Sequence, residues 1–393
     1  MKIFLIAGEE SGDILGAGLM KSLKEKYPDT DISFRGIGGS RMEKLGLKCL
    51  FPMQELSLMG IAEILPKVPH LLGRIKETIQ AVGNFEPDIF LTIDSPDFCF
   101  RVAKGLKGKK INIPLKAPYV APTVWAWRPK RASKVAGQYD AVLCLFPFEP
   151  EYFEKEGMKA KFVGHPMSYN LKDIKSASFI SDYNLEKYDN RVGVLLGSRQ
   201  SEIQKMAPVF LGALKNITYE LQNSCLVVPT LPHLQDQVTE ELKKYDFSCP
   251  VIITADPENK YEAMKSCDMA VATSGTVGLE LSVLDVPHLI AYKMSSLTYE
   301  IGKRMIATKY AHLSNILLQK EVVPEFIQEA ATEKNISICL TKIINDRSIG
   351  DAQRMYFNDV RQMIRGADSE SPSDICADFI MDQVRDLHLS IGI

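Results

Sequence analysis

Two carboxylates, Asp94 and Asp97, follow an apolar run in the stretch "TIDSPDF". A carboxylate just past a buried strand is partly stripped of water, which raises its pKa toward the range a general base needs. Either residue serves equally well as a cap for the next helix. Pro96 stiffens the loop between them. The stretch "LLGSRQSE" has a different chemistry. Gly197 and Ser198 lead into a helix start with free N–H groups, and Arg199 supplies a forked cation. That set suits a phosphate, against the plainer reading of a surface arginine at a turn. In "ATSGTVGLE", Ser274, Gly275 and Thr276 open a helix and expose backbone N–H groups, an anion cradle. Glu280, one turn into that helix, can bind paired hydroxyls, as in ribose recognition. "AGEESGDILGAG" is a glycine-rich turn in which Ser11 or Asp13 reads as a helix cap. The sharper reading makes Glu9 and Ser11 hydrogen-bonding groups for a hydroxylated substrate.

Several chemistries are disfavoured. The first loop is not G-x-G-x-x-G, neither phosphate loop ends in G-K-[ST], and no G-x-S-x-G elbow is present. Eight scattered cysteines without a C-x-x-C pair read as reduced, mostly buried thiols. No histidine pair has zincin spacing, so no metal and no cofactor is expected. A net charge of -2 argues against a general nucleic-acid binder. The opening apolar run, Ile3 to Ala7, is too short for a signal peptide core, and no run approaches the ~20 residues of a membrane helix.

The elements that position these loops alternate along the chain. Lys2–Ala7, Ile32–Arg35, Ile89–Ile93, Leu115–Val120 and Ala141–Leu145 read as buried strands with helical patterns between them. A helix is expected from about Ile14 to Tyr27. After a polar, turn-rich stretch the pattern restarts with Val192–Leu196, Cys225–Val228, Val251–Thr254, Met269–Ala272 and His288–Tyr292. At 393 residues, two domains are expected. The fold class is α/β, two doubly wound Rossmann-like domains facing a central cleft. The expected first domain is 1–168, completed by a C-terminal helix over 366–393, and the second is 169–365. All the polar loops above come directly after strands, where such sheets bind ligands.

Two surface features remain. Leu56–Ile75, with Met59 and Ile61, is apolar and interrupted by Pro66 and Pro69. It reads as helix packing or as a patch that receives acyl chains or a bilayer surface. Both tryptophans, Trp125 and Trp127, lie in "APTVWAWRPKR". In an extended turn they point the same way, and indole suits a sugar ring, an acyl chain or a membrane interface. One of the pair is expected in the core; which one stays open. Cations from Arg101 to Lys134, with Arg128 and Arg131 among them, make a basic run suited to anionic lipid.

The motifs "AGEESGD", "GIGGSRM", "LMGIAEIL", "DSPDF", "VWAWR", "GHP", "GSR" and "SGTVGLE", in that order, resemble the lipid-A-disaccharide synthases, glycosyltransferases of the GT-B fold. The resemblance spans roughly Met1 to Val384. Leu196 departs from a proline frequent in the family, and Val277 and Gly278 also depart. The resemblance implies an inverting transfer from UDP-2,3-diacylglucosamine to 2,3-diacylglucosamine 1-phosphate, forming a β-1,6 linkage and UDP. Asp94 is then the preferred base and Asp97 the fallback. Arg199 and Ser274–Thr276 would neutralise UDP, and Glu280 would hold the ribose. Asn315 matches a polar family position near the nucleotide, and Glu9 and Ser11 match positions on the acceptor side. Arg128 and Arg131 would meet the acceptor phosphate or anionic headgroups. The resemblance also implies a cytoplasmic enzyme peripherally attached to the inner membrane, with a homodimer as a possible assembly. A UDP-N-acetylglucosamine 2-epimerase of the same fold and a non-catalytic nucleotide-sugar or lipid-binding protein are the alternatives.

Overall fold

The computed structural model describes residues 1–56, 68–126, 130–220, 223–294, 308–366 and 370–391. The chain divides into two compact units, Met1–Pro166 with Ile364–Ile393, and Met167–Met363.

The first unit is built on a seven-stranded sheet, in the order β3-β2-β1-β4-β5-β6-β7. Its strands are β1 Lys2–Ala7, β2 Ser33–Ile37, β3 Lys48–Cys49, β4 Ile89–Ile93, β5 Leu115–Tyr119, β6 Ala141–Cys144 and β7 Lys159–Phe162. Neighbouring strands run parallel. β4 is buried along its whole length, and in β1 only Lys2 is exposed. Helices covering both faces of a parallel sheet produce such unbroken apolar strands. The order reverses between β1 and β4, where Ala7 lies opposite Ile93. The loops after these two strands therefore begin side by side at the switch point, where ligands bind in this architecture.

The second unit has a six-stranded sheet, order β10-β9-β8-β11-β12-β13. Its strands are β8 Asn190–Leu195, β9 Ser224–Pro229, β10 Val251–Thr254, β11 Met269–Thr273, β12 His288–Tyr292 and β13 Glu325–Ile327. Here the reversal falls between β8 and β11, with Leu195 opposite Ala272. The "GSR" and "SGT" loops thus leave adjacent strands.

Two local expectations need correction. The first helix begins at Glu10, not Ile14, and runs to Lys26 with Glu9 as its extended N-cap. Ser11 therefore lies exposed inside the first turn, and neither it nor Asp13 caps this helix. Asp13 is turned inward and caps a different helix, Ser40–Lys44: its carboxylate accepts N–H bonds from Gly39, Arg41 and Met42 at 2.9, 3.1 and 3.1 Å. Secondly, the strand expected to reach Val120 ends at Tyr119, and Val120 takes φ +88°.

The last described helix, Pro372–Ile391, belongs to the first unit. The chain re-enters that unit where the His165 N–H donates to the Ile364 carbonyl at 2.7 Å. The helix then docks on Glu10–Lys26: Lys26 Nζ meets Asp378 at 2.5 Å and Glu370 at 3.0 Å, and the Tyr27 hydroxyl donates to Asp378 at 2.7 Å.

Candidate active site

At the switch point of the first unit, Asp94 directly follows β4. Its Oδ1 accepts the Gly8 N–H at 2.7 Å, while the buried Oδ2 has no hydrogen-bond partner among the described residues. Burial lifts its pKa from 3.8 to about 7; the Gly8 bond opposes the rise and the nearby Glu9 charge adds to it. A carboxylate with one oxygen anchored, one unsatisfied, and a pKa near neutrality fits a general base. Two glycines make the room. A Cβ on Gly12 would lie 2.1 Å from Asp94 Oδ2, and one on Gly8 would lie 1.9 Å from Ser95 Oγ. The backbone here is strained. Asp94 and Ser95 take φ +55° and +42°, and Val120, at the end of the adjacent β5, takes +88°. Such conformations cost roughly 1–3 kcal/mol each and concentrate at functional sites.

Two cavities flank this loop. One of about 230 Å³ is largely apolar, with Asp94 and Arg131 beside Cys99, Val120 and Tyr139. The other, about 480 Å³, is lined by Leu56, Val68, Leu71, Leu72 and Ile75, with Glu9, Asp97 and Arg101 among its polar groups. The two carboxylates of "DSPDF" differ sharply. The Asp97 side chain is 91% exposed and is paired with Arg131 at 3.0 Å. Asp97 is solvated, holds a cation and lines the larger cavity, whereas Asp94 is buried with one oxygen unpartnered among the described residues. Ser11 lines neither cavity.

Trp125 answers a question that the sequence left open. It is 6% exposed, and its Nε1–H donates to Glu149 at 2.9 Å. Phe146 and Phe148 meet it edge-on at 6.2 and 5.2 Å. Glu149 also accepts the Leu145 and Phe146 N–H groups, both at 3.0 Å, and burial lifts its pKa to about 7. Trp125 is therefore a core residue whose indole N–H is already taken up by Glu149. Replacing Trp125 with Phe should keep most of the packing but strand part of a buried carboxyl group. We expect a loss of about 1–3 kcal/mol in unfolding free energy, with little change in the acceptor KM. Denaturant titration and initial rates check this. Met59, Ile61, Trp127 and Arg128 lie outside the described residues.

In the second unit, a cavity of about 360 Å³ opens at the ends of β8 and β11. Gly197, Ser198, Arg199, Ser274, Gly275, Thr276 and Glu280 all line it. Gly197 has φ +117°, a conformation suited to glycine. Gly275 has open space where a side chain would stand, so a ligand can reach the start of the helix Thr276–Val283. Backbone N–H groups and the helix dipole there favour an anion.

Glu280 is 6% exposed and more constrained than its sequence suggests. Lys260 Nζ lies 2.8 Å from both of its oxygens, and the Tyr261 hydroxyl lies 3.3 Å away. Lys260 and Glu202 also line the cavity, and neither stood out in the sequence. Asn315 corrects an expectation. It is fully buried, donates to the Val323 carbonyl and Glu325, and accepts the Val322 and Val323 N–H groups at 2.7–2.9 Å. Its side chain ties down the connection into β13 and does not line the cavity.

Beneath the cradle helix lie two buried histidines, His288 and His312, with their Nε2 atoms 2.9 Å apart. His312 Nδ1 accepts the Ser314 N–H and so carries its proton on Nε2. His288 Nδ1 lies 2.8 Å from the Val286 carbonyl, which leaves its Nε2 as the acceptor. Gly278 makes room: a Cβ there would stand 2.5 Å from His312 Nε2. Burial lowers the His288 pKa from 6.5 to about 4, and His312 is pushed well down by burial and by its neighbour. Both rings are neutral in the fold, while the unfolded chain takes up protons below about pH 6.5. Stability from this pair is thus complete above pH 6.5 and is lost as pH falls toward 4. Amide exchange in Thr276–Val283, corrected for intrinsic rate, should show protection falling from pH 7 to 5 by about 2 kcal/mol on account of His288, with His312 adding in the same direction. The helix Pro96–Gly108 of the other unit should not show this change.

Among the described residues, no three His, Cys, Asp or Glu side chains converge as a metal site. No described helix is long and apolar enough to cross a membrane.

The chain matches the family model for lipid-A-disaccharide synthetase over residues 3–379. It is 42% identical over 364 residues to the lipid-A-disaccharide synthase of Ruegeria pomeroyi, covering 90% of this chain and 88% of that one. With the Rhodospirillum centenum lipid-A-disaccharide synthase it shares 40% identity over 352 residues, 89% and 87% of the two chains. Among solved structures, the UDP-GlcNAc 2-epimerase of Neisseria meningitidis bound to UDP-GlcNAc superposes with TM-score 0.63 at 12% identity, over 98% of this chain and 100% of that one. Acinetobacter baumannii MurG superposes with TM-score 0.56 at 12% identity, over 97% and 99%. At such low identity, these two establish the shared two-lobed glycosyltransferase fold and nothing finer.

Proposed function

Because the chain belongs to the lipid-A-disaccharide synthase family, we propose that it joins UDP-2,3-diacylglucosamine to 2,3-diacylglucosamine 1-phosphate, releasing UDP. It is a UDP-sugar-dependent hexosyltransferase. The first unit takes the acylated acceptor and the second the UDP-sugar. Asp94 removes the proton from the acceptor's 6-hydroxyl as that oxygen attacks the anomeric carbon of the donor. The bond from that carbon to the diphosphate breaks, the configuration inverts, and the proton ends on Asp94. Arg199 and the start of Thr276–Val283 neutralise the charge that grows on the departing UDP. Glu280, steadied by Lys260, takes the ribose hydroxyls, and the apolar cavity lined by Asp94 and the leucine-lined cavity on the other side of its loop offer room for acyl chains. The acylated substrates bring the enzyme to a membrane surface, which we place at the cytoplasmic face of the inner membrane. A homodimer belongs to the same proposal, and sedimentation in detergent tests it.

The observation that carries the mechanism is Asp94: an anchored, partly desolvated carboxylate with a pKa near 7, set at a strand end beside an apolar cavity. The epimerase alternative has fold likeness at 12% identity, whereas two of the synthases match at 40% and 42% over most of the chain. The test is an assay of the purified protein with both acylated sugars. UDP should appear only when the acceptor is present. Conversion of UDP-N-acetylglucosamine to its manno isomer, with no acceptor needed, would overturn the proposal.

A further inference from the structure

The cations that line the cavity of the second unit are both held by carboxylates of the same cavity. Lys260 grips Glu280, and Arg199 Nη1 donates to Glu202 Oε1 at 3.2 Å. Glu202 stands in the first turn of the helix Gln200–Glu220. Its Oε2 accepts the Ser198 N–H at 3.0 Å, and its Oε1 lies 3.5 Å from the Tyr292 hydroxyl. Capping the helix start explains the bond to Ser198. It does not explain a carboxylate that lines the cavity and occupies the guanidinium expected to meet a diphosphate.

The two partners are not equally free. The Glu202 side chain is 12% exposed and pinned by Ser198, while Arg199 is 53% exposed. Arg199 is therefore the member that can turn toward an incoming anion, leaving Glu202 behind as a fixed negative charge. An ion pair this exposed is weak, so it opposes the ligand without shutting it out. We infer that Glu202 competes with the diphosphate of the nucleotide for Arg199 and thereby speeds the departure of UDP. The inference rests on the reading that this cavity takes the UDP half of the donor. A cradle with only cations and N–H groups would hold the diphosphate product as firmly as the donor, and product release often limits turnover. An internal carboxylate lowers affinity for both and gives Arg199 a partner to return to.

Calorimetric titration of the full chain with UDP tests this in the wild type, Glu202→Gln, Arg199→Ala and the double variant. Glutamine keeps the size and the acceptor for Ser198, and a thermal melt checks the fold. Should Glu202→Gln fail to fold, Glu202→Ala takes its place. The expected result is a Kd for UDP about fivefold to tenfold lower in Glu202→Gln, with a smaller gain in the Arg199→Ala background. If Arg199→Ala weakens UDP binding and Glu202→Gln does not tighten it, Glu202 only caps the helix and steadies Arg199, and this inference alone falls. If Arg199→Ala leaves the affinity unchanged, the nucleotide reading of the cavity falls with it.

Discussion

Replacing Asp94 with Asn should lower turnover by about 10²–10⁴-fold, the range for loss of a well-placed base, while UDP binding is unchanged. The wild type should show an acidic limb in its rate profile with an apparent pKa near 7, since the base works only when deprotonated. The same substitution should stabilise the fold. Burial raises this carboxyl group's pKa from 3.8 to about 7, so the folded state carries a penalty that is complete above pH 7 and absent below about pH 4. Removing the charge should raise the unfolding free energy at pH 8 by up to about 4 kcal/mol, with the gain vanishing at pH 4. Turnover assays and denaturant titrations at both pH values read the two effects. An enzyme that became inactive and less stable at pH 8 would contradict this account of Asp94.

Gly12→Ala should have the next largest effect. Gly12 sits in the first helix with an ordinary helical backbone, so by propensity alone alanine would be favoured there by about 1 kcal/mol. The new methyl would instead stand 2.1 Å from Asp94 Oδ2, nearer than any real contact allows. The carboxylate must move, and a displacement of about 1 Å at a reacting group can cost about 10²-fold in rate. We expect that loss in kcat, with UDP affinity preserved because the second unit is untouched. Near-normal kcat would show that Asp94 can do its work from another position.

The contrast between these two residues shows what the sequence made legible. Asp94 was visible only as one of two candidates: a carboxylate straight after a buried strand reads as a base or as a helix cap, and Asp97 read the same way. The paired phosphate loops were readable because strand periodicity places each succeeding loop at the carboxyl edge of its sheet. Gly12 was hidden within a stretch whose Ser and Asp looked like a cap, so the helix was expected to start too late. Asp13 had a partner further along the chain, at the start of another helix, and no local pattern records that. The place of Trp125 was left open for the same reason. Its burial depends on Glu149, 24 residues on, and an indole looks the same in sequence whether it faces lipid or a buried carboxylate. Asn315 resembled a ligand contact because it is polar and lies in a motif, yet backbone groups of the β13 connection and Glu325 consume its hydrogen bonds. Lys260 and Glu202 carried no signal, since their importance lies in which charges the sheet brings near them.

The return of the chain to its first unit bears on how the protein is made. Met1–Pro166 leaves the ribosome early, yet the helix Pro372–Ile391 that packs on Glu10–Lys26 arrives last. At about 5–20 residues per second, the intervening Met167–Met363 take roughly 10–40 s to synthesise. Throughout that interval, the half proposed to bear the base waits with one flank of its first helix uncovered, while the nucleotide half can close as soon as it emerges. The nascent chain can thus close the sheet of its second unit before its first unit is complete.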